Sequence, residues 1–134
     1  LQLFVMNPTG KDHPEHDRVY VNPVLTEASG DEEDEEGCLS LPGIRVNVVR
    51  ARRLRMDAQD VEGRPIREEA EGYVARIWQH EFDHLQGTLL TDRMGAVARL
   101  AHRKVLKELE EQYAALHPKA KPAEKKKTPA KKRR

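Results

Sequence analysis

Two histidines four residues apart, His80 and His84, enclose Glu81 in the run His80-Glu81-Phe82-Asp83-His84. On a helix of 3.6 residues per turn, positions i and i+4 stack on one face, so both imidazoles can reach one metal ion. Glu81 then sits where its carboxylate can take a proton from a water that the metal has polarised. The chain has a single cysteine, Cys38, in Glu36-Gly37-Cys38-Leu39-Ser40. Its thiolate would complete three protein ligands and leave one coordination position open, as in catalytic metal sites; structural zinc sites are closed by four protein ligands.

Each half of this pattern has a bland alternative. Charged helices produce His-Glu-x-x-His by chance, as two solvated surface histidines, and a lone cysteine is often a small buried hydrophobe. Two observations weigh against that. Ile77, Trp78, Phe82 and Leu85 make the segment apolar around the motif, so at least one histidine should face the interior. The cysteine follows Gly37 in a Gly/Pro-punctuated stretch, Gly37 to Gly43, where backbone can approach a metal closely.

The elements that must position these groups are legible in outline. Leu1 to Met6 and Arg18 to Pro23 read as short strands separated by a polar turn around Pro8-Thr9-Gly10. Asp31 to Glu36 is six acidic residues in succession, whose mutual repulsion predicts a solvated loop. Val46 to Ala58 is β-branched and arginine-rich and reads as a long strand with one exposed face. Asp60-Val61-Glu62-Gly63 is a turn signal, with Arg64 to Arg67 as the returning strand. Helical spacing runs from Glu68 to Leu85, with Tyr73, Ile77, His80, Glu81 and His84 near one face and Gly87 placed to end the helix. Ala96 to Leu116 is a second amphipathic helix, with Val97, Leu100, Val105, Leu109 and Leu116 among its apolar positions. Strands first and helices later predict an α+β fold.

Composition bounds the rest. At 134 residues, 37% hydrophobic and 35% charged, the chain makes one domain with a modest core and a heavily solvated surface. One cysteine excludes an intramolecular disulfide and suits a reducing, cytoplasmic setting. No apolar run approaches a membrane span. From Lys119 onward, nine Lys/Arg against Glu124 give +8, leaving −7 on residues 1–118. The expected division is therefore a catalytic domain over 1–117 and a disordered basic tail over 118–134. Arg50, Arg52, Arg53 and Arg55 read as an exposed strand face rather than a nucleic-acid surface, since no aromatic residues interleave them. The chain opens in an apolar run without an initiator methionine, which suggests that an N-terminal segment is missing.

Taken together, Glu36-Gly37-Cys38-Leu39-Ser40-Leu41-Pro42-Gly43 and Gln79-His80-Glu81-Phe82-Asp83-His84-Leu85-Gln86-Gly87 closely resemble the peptide deformylase family. That family is marked by EGCLS and HExDHLxG motifs at about this separation. The resemblance covers roughly residues 1–116, and the basic tail lies outside it. It implies an α+β fold of small antiparallel sheets around a central metal-binding helix, followed by a C-terminal helix. A third family motif, GxGLAAxQ, whose glutamine helps hold the oxyanion, does not occur in this sequence.

The resemblance implies removal of the N-formyl group from the formylmethionine of nascent polypeptides. Cys38, His80 and His84 would bind one divalent metal, Fe2+ by family habit, with Zn2+, Ni2+ or Co2+ as substitutes. Glu81 would be general base and then general acid, and the backbone N–H of Leu39 would hold the oxyanion. By position in the motifs, Tyr73, Ile77 and His80 would border the methionine pocket, with the aliphatic stem of Arg76 at its wall; core packing competes for Tyr73 and Ile77. Glu36, Gly37 and Arg45 would lie along the peptide path. Asp83 would orient Arg50 or stay a solvated helix-surface aspartate. The basic tail would tether the enzyme to ribosomal RNA or protein, or merely solubilise it. Competing functions are a metallopeptidase, which usually takes a carboxylate or third histidine in place of Cys38, and an inactive metal-stabilised ribosome-binding module.

Overall fold

The computed structural model describes residues 1–118, so the expected basic tail, apart from Pro118, lies outside the described residues. Four strands form one antiparallel meander in the order β1 (Leu3–Met6), β2 (Arg18–Cys38), β3 (Leu41–Gln59) and β4 (Pro65–Glu71). Three helices follow: α1 (Tyr73–Leu85), the single turn α2 (Leu90–Arg93) and α3 (Ala96–Leu116). The α+β class, the antiparallel sheet and the C-terminal helix are as expected. Among the described residues, no helix is long and apolar enough to cross a membrane.

The sheet is dominated by the long β2–β3 hairpin, which closes at its tip with the two residues Leu39 and Ser40 between the paired Cys38 and Leu41. Strand side chains alternate between faces. On β3, Ile44, Val46, Val48, Arg50, Leu54, Met56 and Ala58 are the buried positions, while most of their neighbours are exposed or half-buried. That inward row feeds two apolar clusters. Leu54, Met56 and Ala58 join Phe4, Met6 and Tyr20 of the first two strands and Ala75 and Trp78 of α1. Ile44, Val46 and Val48, nearer the tip, pack with Leu90 and Met94, and with Val105 and Leu109 of α3.

Three expectations need correction. The acidic run Asp31–Glu36 is strand, not loop: it pairs with Val46–Ala51 of β3. The repulsion is offset across the ladder, where Arg45 meets Glu35, Arg52 meets Glu32, and Arg50 meets the buried Glu36. The helix expected from Glu68 begins at Tyr73 instead. Glu68–Glu71 extends β4, pairing with Arg53–Met56, and Gly72, at φ 65°, turns the chain from strand to helix. Few residues other than glycine accept that conformation. Finally, Arg50 does not lie on an exposed face: its even-numbered register points it inward with Val46 and Val48, and it is 5% exposed.

Helix α3 spans the expected residues. Val105 and Leu109 pack against the sheet, whereas Val97, Leu100 and Leu116 remain exposed. At the end of α1, the Gly87 N–H donates to the His84 carbonyl and Gly87 sits at φ 76°, a left-handed stop just past the helix.

Met56 is fully buried on β3, beneath α1 but not part of it. Met56→Ala is expected to cost about 2–5 kcal/mol through lost burial and a residual cavity, measured by urea unfolding, without altering the spacing of the helix-borne histidines.

Candidate metal centre

The helix α1 presents His80 and His84 one turn apart, and the hairpin tip brings Cys38 against them. Cys38 Sγ lies 3.7 Å from His84 Nε2, and His84 Nε2 lies 3.2 Å from His80 Nε2. Around a tetrahedral ion, bonds of about 2.0–2.1 Å to nitrogen and 2.3 Å to sulfur put neighbouring donors about 3.3–3.6 Å apart. Two of the three donor separations therefore already come close to those of a tetrahedral face, the third lies within 4.8 Å, and the residues fit a divalent metal. All three side chains are half-buried.

A carboxylate aims the first imidazole. His80 Nδ1 is 3.0 Å from Glu36 Oε2. A carboxylate only accepts, so Nδ1 carries the hydrogen and the lone pair of the neutral ring is left on Nε2, facing the other donors. Glu36 is 6% exposed and is surrounded by cations: Arg50 donates to both of its oxygens at 2.8 and 3.0 Å, and Arg76 donates to Oε1 at 2.9 Å. Arg50 continues to Asp83 Oδ2 at 2.6 Å, and Asp83 is gripped from solvent by Arg93 at 2.7 and 3.0 Å. Arg76 also donates to the carbonyls of Val48 and Glu32, which ties α1 to β2 and β3. Beside His80, the Gln79 side chain pairs with both the N–H and the carbonyl of Ala51, each at 2.9 Å.

This network sets the charge states. Burial alone would push Glu36 upward, but hydrogen bonds from Arg50, His80 and Arg76 overcome it and hold the carboxyl at about 2. Without a bound cation, the hydrogen bond to Glu36 pushes His80 up to about 9; burial opposes, while Cys38 and the charges of Glu36 and Glu81 add to the rise. Burial would likewise raise Asp83, yet Arg93 and Arg50 hold it below its ordinary value.

The site opens into a cleft of about 920 Å3. Glu81 lines it beside the three donors, as do Leu39 at the hairpin tip and the other positions singled out from the motifs: Glu36, Gly37, Arg45, Tyr73, Arg76 and Ile77. Tyr73 is largely exposed, whereas Ile77 also packs against the first apolar cluster. A side chain at Gly37 would meet the Arg45 guanidinium at 3.2 Å, so the bare backbone lets Arg45 lie across the strand. Glu36, expected along the peptide path, has its carboxylate committed to His80 and the two buried arginines. Arg76 contributes more than its stem, because its guanidinium anchors that carboxylate. Spacing could have shown this, since Arg76 lies four residues before His80 and shares its helix face. Arg93 was missed altogether, and no local pattern marks it.

A thiol and two imidazoles converging in a cleft that Glu81 also lines, on an α+β scaffold, are a donor set that fits a divalent metal with a coordination position left open. A family model for polypeptide deformylase matches residues 1–99, and the chain belongs to that family. It is 47% identical to the chloroplastic peptide deformylase 1B of Oryza sativa subsp. japonica over 114 residues, 84% of this chain and 42% of that protein. It is 51% identical to peptide deformylase 1 of Clostridium perfringens over 75 residues, 56% of this chain and 51% of that one. The crystal structure of a plant peptide deformylase 1B superposes with a TM-score of 0.84 at 37% identity, over 91% of this chain and 67% of that one. For the peptide deformylase of Thermotoga maritima, the TM-score is 0.64 at 40% identity over 70% and 61%. The chain spans about half the length of the curated relatives it matches.

The Glu36–His80 pair predicts a stability profile for the metal-free protein. Glu36 stabilises fully above its ordinary value of 4.5, and this is lost as pH falls toward 2. His80 stabilises fully below its ordinary value of 6.5, and this is lost as pH rises through about 9. Urea unfolding in the presence of chelator is expected to show greatest stability between these limits. Glu36→Gln should cost about 3–5 kcal/mol near neutrality, because it strands buried arginine charge, and should flatten the acid limb. An acid limb that persists unchanged in the variant would assign it to other carboxylates.

Proposed function

We propose that the protein removes the formyl group from formylmethionine at the N-terminus of nascent polypeptides. The observation that carries this reading is the convergence of Cys38, His80 and His84 on one point of the cleft, with Glu81 beside them. Cys38 with the two imidazoles would hold Fe2+, or Zn2+, Ni2+ or Co2+ in its place, a mixed sulfur and nitrogen set that all four accept. When bound, the metal activates the attacking water and polarises the formyl carbonyl.

The protein's own groups do the remainder. Glu81 takes a proton from the attacking water as its oxygen bonds to the formyl carbon, and the backbone N–H of Leu39 donates to the oxyanion that develops. Glu81 then returns the proton to the departing amine as the carbon–nitrogen bond breaks, releasing formate and a free α-amino terminus. Tyr73 and Ile77 form the apolar wall for the methionine side chain, with the stem of Arg76 behind them. Gly37 and Arg45 flank the peptide. Glu36 acts through His80, holding the ring in the tautomer that binds metal. A reducing, cytoplasmic setting preserves the thiolate from oxidation. The basic stretch from Lys119 supplies the charge for an electrostatic contact with ribosomal RNA near the emerging chain.

The test is formate release from a formyl-Met-Ala peptide under anaerobic conditions with Fe2+ or Ni2+ loading. The chain would be assayed as given and preceded by a family-type GxGLAAxQ segment. Glu81→Ala is expected to lower kcat by at least about 10²–10⁴-fold with metal content unchanged. A folded, metal-loaded, extended protein without turnover would overturn the reading.

A further inference from the structure

The connection between β1 and β2 carries His13-Pro14-Glu15-His16-Asp17, a run that the deformylase reading leaves unused. His13, Glu15 and His16 each bring a donor atom within 4.8 Å of the other two. His13 Nδ1 lies 3.0 Å from Glu15 Oε1, and the two imidazole rings are nearly parallel, 5.5 Å apart between centroids. Pro14 starts a single 3-10 turn, Pro14–His16, closed by the N–H of His16 to the carbonyl of His13 at 2.9 Å. In that geometry positions three apart eclipse, so the turn itself brings the two histidines onto one face.

The turn is held by a chain of hydrogen bonds that also fixes which lone pairs are free. The Asn7 amide donates to the His13 carbonyl and to Asp17 Oδ1, both at 2.7 Å, so its oxygen must face Thr9. That oxygen accepts from the N–H and the hydroxyl of Thr9, both at 2.9 Å. The hydroxyl has spent its one hydrogen, so its 2.7 Å bond to His16 Nδ1 requires the ring to donate. Nε2 of His16 is thereby left with the lone pair. A ring held in one tautomer by a neighbouring hydroxyl is the usual support of a metal-binding histidine.

We infer that this turn is a second metal site, separate from the Cys38 centre. Two imidazoles and a carboxylate suit a borderline divalent transition ion such as Zn2+ and disfavour Mg2+ or Ca2+, which take oxygen donors. His13 and Glu15 are exposed and His16 is half-buried, so an ion reaches the site from solvent and water fills the remaining coordination. Asn7, which holds the turn, also lines the active-site cleft, so an ion bound here stiffens one wall of that cleft.

The test titrates the metal-free full chain, under reducing anaerobic conditions, with Co2+ followed by absorption and with Zn2+ followed by calorimetry. Two equivalents are expected. One shows a sulfur-to-cobalt charge-transfer band that Cys38→Ser removes. The other lacks the band, survives Cys38→Ser, and is lost in the His13→Ala/His16→Ala double variant. Thr9→Val should weaken the second equivalent about 10–100-fold while Thr9→Ser retains it. Glu15→Gln, which leaves the bonds of Asn7 and Thr9 untouched, should weaken it as well and carries the test if the double variant fails to fold. A single equivalent in the native chain, or a second one that survives His13→Ala/His16→Ala or Glu15→Gln undiminished, overturns the assignment.

Discussion

A carboxylate shut inside a protein loses its hydration, and nothing apolar can replace it. Glu36 survives burial because two guanidiniums and an imidazole close around it from two other elements: Arg50 from β3, Arg76 and His80 from α1. Satisfying that one group therefore fixes how the helix lies on the sheet. It also sets the rotation of α1, because Arg76, His80 and His84 share a face, and aligning Arg76 with Glu36 turns both histidines toward Cys38. Cys38 itself follows Glu36 by two residues on the same strand, so the register of β2 against β3 that seats Glu36 also delivers the thiol.

The same network joins the two apolar clusters. Arg50 falls on β3 between Val48, which belongs to the cluster under α3, and Leu54, which belongs to the cluster under α1. With Asp83 and Arg93 extending the pairing to the surface, the centre of the molecule is a strip of matched charge between two greasy halves. Such pairing need not add net stability over a well-packed apolar core, since desolvation offsets much of the attraction. What it supplies is geometry: the three candidate donors stand on residues that have one way to be satisfied.

What could be read from the sequence was what local spacing dictates. The i, i+4 histidines, the left-handed stop at Gly87, the alternation of Val46 to Ala58 and the span of α3 depend on neighbours within a few residues. The failures were places where a distant partner decided the matter. Six acidic residues in a row look like loop until Arg45, Arg50 and Arg52 face them across the ladder. Glu68–Glu71 has helical composition, yet pairing with Arg53–Met56 and the turn at Gly72 make it strand. Arg50 reads as surface until Glu36 and Asp83 are seen to neutralise it. The role of Arg76 was half-visible, through its spacing from His80, but the acceptor it serves lies 40 residues earlier in the chain.

The donors of the candidate metal centre come from two elements far apart in the chain, with Cys38 and His84 separated by 46 positions. An ion held between them is a cross-link, comparable to a disulfide in what it does to the unfolded chain. Closing a loop of that length removes chain entropy worth about 4 kcal/mol, as far as the ion keeps both bonds in the denatured ensemble. An ion at this centre would thus fasten the hairpin to the helix, whatever chemistry it also served. Loss of such an ion would leave the fold standing on its charge network and its two apolar clusters, with the hairpin tip that shapes the cleft less firmly tied to the helix.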